Sequence, residues 1–208
     1  MNNKKMKRLL FLVLCIIVLA QSDITAQNYT DYYKGDTIIR ADKNTYYIRY
    51  GKIINTPDIY VHVTNINNAK KDLIEGPLQT FILQDRKIFC DVVKEVFTQE
   101  ELKAMYKELK ASPNFEKYFK WNTLFDFAFN VNRHTERIGK FEFCFFATPA
   151  TRNISPEKIE RMENMLRKRV KFNIYEGRRQ FLNSYDIFRH DAVSIHFREV
   201  IDDFDSFM

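Results

Sequence analysis

Residues 124–148 read LFDFAFNVNRHTERIGKFEFCFFAT, and the fold turns on how they pair. Phe125, Phe127, Phe129 and Val131 share one parity, so an extended strand points them to one face. Phe141, Phe143, Phe145 and Ala147 repeat the pattern. With Glu136 near the turn centre, the pairs 131/141, 129/143, 127/145 and 125/147 face each other, and both apolar sets land on one side of a hairpin. A slip of one residue would turn one set toward solvent, so the pattern specifies its own pairing. Gly139 is the residue expected to take a positive φ near the turn. Apolar patches of this size are uncommon on monomer surfaces. The stripe therefore reads as a sheet face covered by helices, with a ligand cleft as the alternative.

The flanking sequence supplies the helices. In the segment DRKIFCDVVKEVF, residues Ile88, Phe89, Val92, Val93 and Val96 fall at helical spacing. Thr98 followed by Glu101 is a capping-box pattern. It opens a helix whose face is Leu102, Met105, Tyr106 and Leu109, ending at Ser112-Pro113. Ser155-Pro156 opens another helix, with Ser as the cap and Pro at the first turn. After it, Val170, Phe172 and Ile174 alternate, as do Val193, Ile195 and Phe197 in a final strand. The segment 176–191 has no clear period. Upstream, the runs TIIR and TYYIRY flank the turn-like Asp42-Lys43-Asn44, and in IYVHVT the residues Tyr60, His62 and Thr64 oppose Ile59, Val61 and Val63. PLQTFILQ reads as a further strand. The fold class is α+β, an antiparallel sheet with helices on one face, preceded by an N-terminal β region. The expected organisation is a leader at 1–26, a β-hairpin region at 27–75 and an α+β domain at 76–208.

The leader reading rests on Lys4, Lys5, Lys7 and Arg8 preceding the apolar run Leu9–Ala20, which is too short to span a bilayer comfortably. Cleavage is expected between Ala26 and Gln27, leaving no transmembrane segment in the mature chain and placing the protein in the periplasm or outside the cell. The whole chain carries 33 Lys+Arg and 27 Asp+Glu. Removing the four basic residues and the single acid of the leader leaves 29 against 26, a net of +3. That charge does not argue for nucleic acid. Aromatics at 15% supply a core, and five Gly and five Pro leave no long linker.

Chemistry-bearing patterns are sparse. His62, His134, His190 and His196 form no zinc or other metal motif, and no nucleotide-binding or nucleophile-elbow loop is present, so neither metal nor cofactor is expected. Cys144 and His196 both oppose the apolar parity of their strands, which makes them the one pairing to weigh as nucleophile and base of a small hydrolase or thiol enzyme. An oxidising compartment would permit a Cys90–Cys144 disulfide, against simple burial of each. Arg161, Arg167, Lys168, Arg169, Lys171, Arg178 and Arg179 cluster within one helix–strand unit. They offer a surface for an anionic glycan, lipid head group or acidic protein, or else a solvated face partly neutralised by Glu157, Glu160, Glu163 and Glu176. The acidic tail Asp202, Asp203 and Asp205 is placed to fold back on that cluster. Tyr46, Tyr47, Tyr50 and Tyr60 are a second surface, suited to sugar rings or simply to strand formation.

The run TLFDFAFNVN, then GKFEFCFFAT, then ISPEKIERMENMLRKRVKFNIY resembles small secreted proteins of unknown function from gut Bacteroides-type bacteria. The hairpin–helix–strand unit at about 117–175 is also locally similar to the C-terminal domain of the energy transducer TonB, without that protein's proline-rich spacer or retained anchor. The resemblance implies a cell-envelope or secreted setting and transfers no functional residue. The function expected is a non-enzymatic binding or accessory module whose partner is an envelope protein or glycan. The thiol enzyme is the alternative, and an accessory subunit that pairs through a sheet edge is a third reading.

Overall fold

In the computed structural model, strands alternate with helices along the described residues, which are 36–52, 59–68, 75–77, 80–112, 123–189 and 192–207. The leader and the Ala26–Gln27 junction lie outside them, as does His190. The strands are β1 (Thr37–Arg40), β2 (Thr45–Lys52), β3 (Ile59–Asn65), β4 (Glu75–Gly76), β5 (Phe81–Leu83), β6 (Thr123–Asn132), β7 (Arg137–Phe146), β8 (Phe172–Ile174), β9 (Ile187–Arg189) and β10 (Val193–His196). The helices are α1 (Lys87–Val96), α2 (Gln99–Lys110), α3 (Pro149–Arg152), α4 (Pro156–Arg169), α5 (Phe197–Val200) and α6 (Phe204–Phe207). The main sheet runs β1-β2-β3-β7-β6-β9-β4, with β10 also pairing β6; β5 and β8 form a separate two-stranded sheet. All pairings are antiparallel except β4 with β9.

The main sheet joins the N-terminal strands to the phenylalanine hairpin. Strand β3 lies against β7, with Val61 opposite Phe145 and Val63 opposite Phe143. The N-terminal hairpin β1–β2 and the phenylalanine hairpin β6–β7 therefore share one core, within one compact unit spanning Asp31–Met208.

The phenylalanine hairpin pairs two residues away from the expected register. Phe129 faces Phe141 and Phe127 faces Phe143, not Phe143 and Phe145. A shift of two preserves side-chain parity, so hydrophobic patterning does not distinguish the two registers. The turn decides. Asn132 Oδ1 accepts the backbone N–H groups of His134 and Thr135 at 2.9 and 3.2 Å, and its carbonyl accepts the Glu136 N–H at 2.8 Å. Glu136, not Gly139, takes the positive φ, at 49°. Gly139 lies within β7, and a bulge between Phe129 and Val131 absorbs the change of offset.

One face of the sheet is the core. Phe125, Phe127, Phe141 and Phe143 are fully buried, as are Val61, Val63 and Ile195. From α1, the Phe89 ring lies 5.3 Å from Phe127 and 5.9 Å from Phe129. Helix α4 contributes Ile159, Met162 and Leu166, each without exposed surface. The predicted helix starts are present. Thr98 and Glu101 form the reciprocal capping box, and Ser155 caps α4 with Pro156 in its first turn. These satisfy N–H groups that a helix start otherwise leaves unpaired.

Helix α4 is tied to the sheet by more than apolar contact. Glu163 has no exposed surface. Its carboxylate accepts the Tyr46 hydroxyl at 2.8 Å, the Asn65 amide at 2.8 and 3.0 Å, and Arg167 Nε at 2.8 Å. Arg167 also donates to the carbonyls of Ile138 and Gly139, at 2.6 and 2.9 Å. One turn earlier, buried Glu160 accepts the Lys43 N–H at 3.0 Å. A buried carboxylate is tolerated only when its oxygens are filled in this way.

The last strand is shorter than expected. Glu199 accepts the His196 N–H at 2.8 Å and starts α5, so Phe197 belongs to a helix and packs 5.3 Å from Tyr106. The aperiodic segment holds a 3-10 stretch at Glu176–Phe181 and strand β9. Gly76 in β4 lies under the Phe188 ring, where an added Cβ would approach to 2.4 Å.

Candidate functional site

The face of the sheet turned away from α1 and α4 has an unusual cross-strand row. Pairing places Arg49 opposite His62, His62 opposite Cys144, Cys144 opposite Asp126, and Asp126 opposite Ser194. Five strands (β2, β3, β7, β6 and β10) thus each contribute one polar side chain to a single line. The cause is the parity that buries Ile48, Val61, Val63, Phe143, Phe145, Phe125 and Phe127: every alternate residue must face outward.

Hydrogen bonds link the row. Cys144 Sγ and His62 Nδ1 lie 3.1 Å apart. Asp126 accepts the Tyr60 hydroxyl on one carboxylate oxygen and the Ser194 hydroxyl on the other. Tyr60 meets His62 and Phe146 edge-on, with ring centroids 5.4 and 4.8 Å away. His62, Cys144, Asp126 and Tyr60 are all half-buried.

The electrostatics favour neutral forms. Burial raises the Cys144 thiol to about 12, with Asp126 and Glu142 adding to the effect and Arg49 opposing it. Burial holds His62 below the usual imidazole range, helped by Arg49 and opposed by Glu142. Burial and the bond to Asp126 raise the Tyr60 phenol well above its ordinary value. At neutral pH the centre of the row is therefore a thiol beside an uncharged imidazole. A cysteine nucleophile instead needs its thiolate stabilised.

The histidine brought to Cys144 is His62, not His196. His196 lies opposite Thr123 at the end of β10, and its Nδ1 is 3.4 Å from the Thr123 hydroxyl. His62 carried a readable signal, since it has outward parity on a clean alternating strand. What sequence lacked was the β3–β7 pairing that spans 82 residues. Cys90 and Cys144 are both free: Cys90 is buried on α1 in the helix-covered core, and Cys144 faces the other way, so the sheet separates them. Of the two readings open for these cysteines, a bridge or two separate thiols, the structure has the separate thiols.

The basic cluster is spread over several contacts. Arg167 is held by Glu163 and two carbonyls, Arg169 pairs with Glu95, and Arg179 pairs with Glu176. Arg178 lies over the Phe181 ring, 5.6 Å from its centroid, and Lys171 is exposed. Arg161 and Lys168 line a shallow groove of 530 Å³ with Asp42, Lys43, Glu157 and Glu160. The acidic tail does not reach these residues through Asp202, which pairs with Lys94 of α1 at 2.9 Å. The tyrosines also divide. Tyr46 is buried and Tyr50 packs against the core, whereas Tyr47 and Tyr60 face outward.

No helix among the described residues is long and apolar enough to cross a membrane. Neither a family model nor a curated protein matches the chain. Among solved structures it is similar to a DUF5043 family protein from Bacteroides uniformis ATCC 8492, with a TM-score of 0.51 and 15% sequence identity. That match covers 80% of this chain and 88% of the other, and it shows a shared fold in a protein of Bacteroides origin.

Proposed function

We propose that the protein is a non-catalytic binding or accessory module of the bacterial cell envelope, secreted or periplasmic after leader removal, and that it engages a protein or glycan through the sheet face opposite α1 and α4. One observation carries this reading: a platform of five paired strands has one face filled by phenylalanine and helices and the other set with partly exposed aromatic and charged side chains in register. Tyr47 and Ile38 are adjacent on this face, with 38% and 57% of their surface exposed, at the β1 margin of the row. The basic side chains lining the groove, Arg161 and Lys168, are the second candidate contact. Support for the setting comes from the leader sequence and from the fold shared with a Bacteroides protein.

The test is capture from envelope extracts and from immobilised envelope glycans. A Tyr47→Ala/Arg49→Glu variant should lose the partner, and an Arg161→Glu/Lys168→Glu variant should keep it. The reverse result moves the site to the groove, and equal recovery by both variants sinks both surfaces.

A thiol enzyme is the second reading, favoured by the contact between Cys144 and His62. The elevated thiol pKa weighs against it.

A further inference from the structure

Strand β1 ends the main sheet on one side, and no strand among the described residues pairs with its outer edge. The hairpin shows which groups that edge presents. The Ala41 N–H donates to the Asn44 carbonyl at 3.0 Å, so Ala41 and Asn44 are a hydrogen-bonded pair. Antiparallel pairs alternate along a ladder, so the backbone groups of Thr37 and Ile39 turn toward β2 and those of Ile38 and Arg40 turn away from it. Tyr50 agrees with this alternation: its N–H points to the β1 side, where Asp36 Oδ1 accepts it at 2.9 Å. Side chains alternate too. Ile39 is buried, while Asp36, Ile38 and Arg40 are exposed. Ile38 stands opposite Tyr47, so two large exposed apolar side chains meet at this margin.

We propose that the β1 edge pairs antiparallel with β1 of a second copy of this chain, about a two-fold axis at Ile38, so that two sheets become one. The inference goes beyond the partner reading above and stands if that reading fails.

Charge selects this occupant. A lone basic residue on an edge strand is a guard against pairing, because two copies would repel. Here Asp36 shares a face with Arg40, and Arg40 forms no ion pair among the described residues. With Ile38 opposite Ile38 of the second copy, each Asp36 lies opposite the other copy's Arg40. Opposite charges then flank an apolar centre, an arrangement that stabilises a strand pair. Tyr50 engages Oδ1 of Asp36, and Oδ2 is the acceptor offered to the guanidinium. A slip of two residues toward the turn would set Asp36 against Asp42 and Arg40 against Ile38. A slip of one residue would set the buried face of one copy against the outer face of the other. In the proposed register, Tyr47 and Ile38 of both copies form one cross-strand line, and the outer faces of the two sheets become a single surface.

The experiment is analytical ultracentrifugation of the full chain, expressed with its own leader and purified after export. Its mass should rise with concentration toward twice the monomer value. Arg40→Asp alone and Asp36→Arg alone each set like charges against each other across the seam, and each should remain a monomer where the parent is a dimer. An equimolar mixture of the two variants restores opposite charges at both ends of the seam and should recover the dimer mass. Ile38→Pro removes an outward N–H that β2 does not use, so it should leave the fold intact by circular dichroism and give monomers. In the parent itself, amide exchange at Ile38 and Arg40 should slow as concentration rises, a readout that needs no variant. A parent that stays monomeric, a mixture no heavier than its separate components, or exchange at Ile38 that ignores concentration would overturn the proposal.

Discussion

Cys144 sits at a point where burial and two carboxylates act in the same direction. With its pKa near 12, about one thiol in 10⁵ is ionised at pH 7. Labelling of the native protein by iodoacetamide at neutral pH should therefore be far slower than labelling of a free peptide thiol, and fast labelling would revive the enzyme reading. Asp126→Asn removes a raising charge, so the thiol pKa should fall, though burial keeps it above the free value. The same shift has a stability consequence. The thiol titrates at 9.0 without perturbation and near 12 when folded. Its contribution is therefore complete below about pH 9 and is lost as pH rises toward 12. Between pH 8 and 10.5, denaturant melts of the parent should lose about 1–2 kcal/mol more than those of Cys144→Ser. Tyr46 and Tyr60 also resist ionisation, but they do so in both proteins, and the difference isolates the cysteine. An equal loss in both would contradict the assigned environment.

At the scale of elements, α4 shows what patterning conveys and what it hides. Its start at Ser155-Pro156 was legible, because capping residues are local. Glu160 and Glu163 read as acids on a solvated face, yet both are buried against the N-terminal hairpin. Nothing within the helix reports that contact; it depends on Tyr46 and Asn65, far away in sequence. The β6–β7 register had the same limit, since faces follow from parity but a two-residue offset follows from the Asn132 turn. The outward row suffered most. Each of its members has the right parity, but they meet only through strand pairings that no short window contains. Glu163→Ala should cost about 3–5 kcal/mol, because it takes the buried carboxylate from Arg167 and removes the acceptor of Tyr46 and Asn65. Thr98→Ala should cost about 1 kcal/mol, because the capping box of α2 is largely exposed to water. Thermal or urea unfolding of the two variants should rank them in that order, and a Glu163→Ala loss no larger than the Thr98→Ala loss would mean the buried carboxylate is not a structural tie.

For the molecule as a whole, the N-terminal hairpin is part of the core. Strand β3 supplies the hydrogen-bond partners of β7 from Tyr60 to Thr64, and Val61 and Val63 cover Phe145 and Phe143. Tyr46 and Asn65 both donate to the Glu163 carboxylate. A fragment of residues 76–208 would keep the phenylalanine hairpin and every helix. It would also carry an open β7 edge, bare phenylalanine rings and a carboxylate with two partners gone. Each fully buried apolar side chain is worth about 1.5–3 kcal/mol, and a domain's net stability is about 5–15 kcal/mol, so these losses together exceed what such a fragment can bear. The unpaired edge would also template association with other chains. Expressed alone, residues 76–208 should show no cooperative thermal transition, should bind hydrophobic dyes and should aggregate, while residues 27–208 melt in one step. A sharp melt from the shorter fragment would make the hairpin an appendage, and the outward row from Arg49 to Ser194 would then lose two of its five strands without cost to the fold.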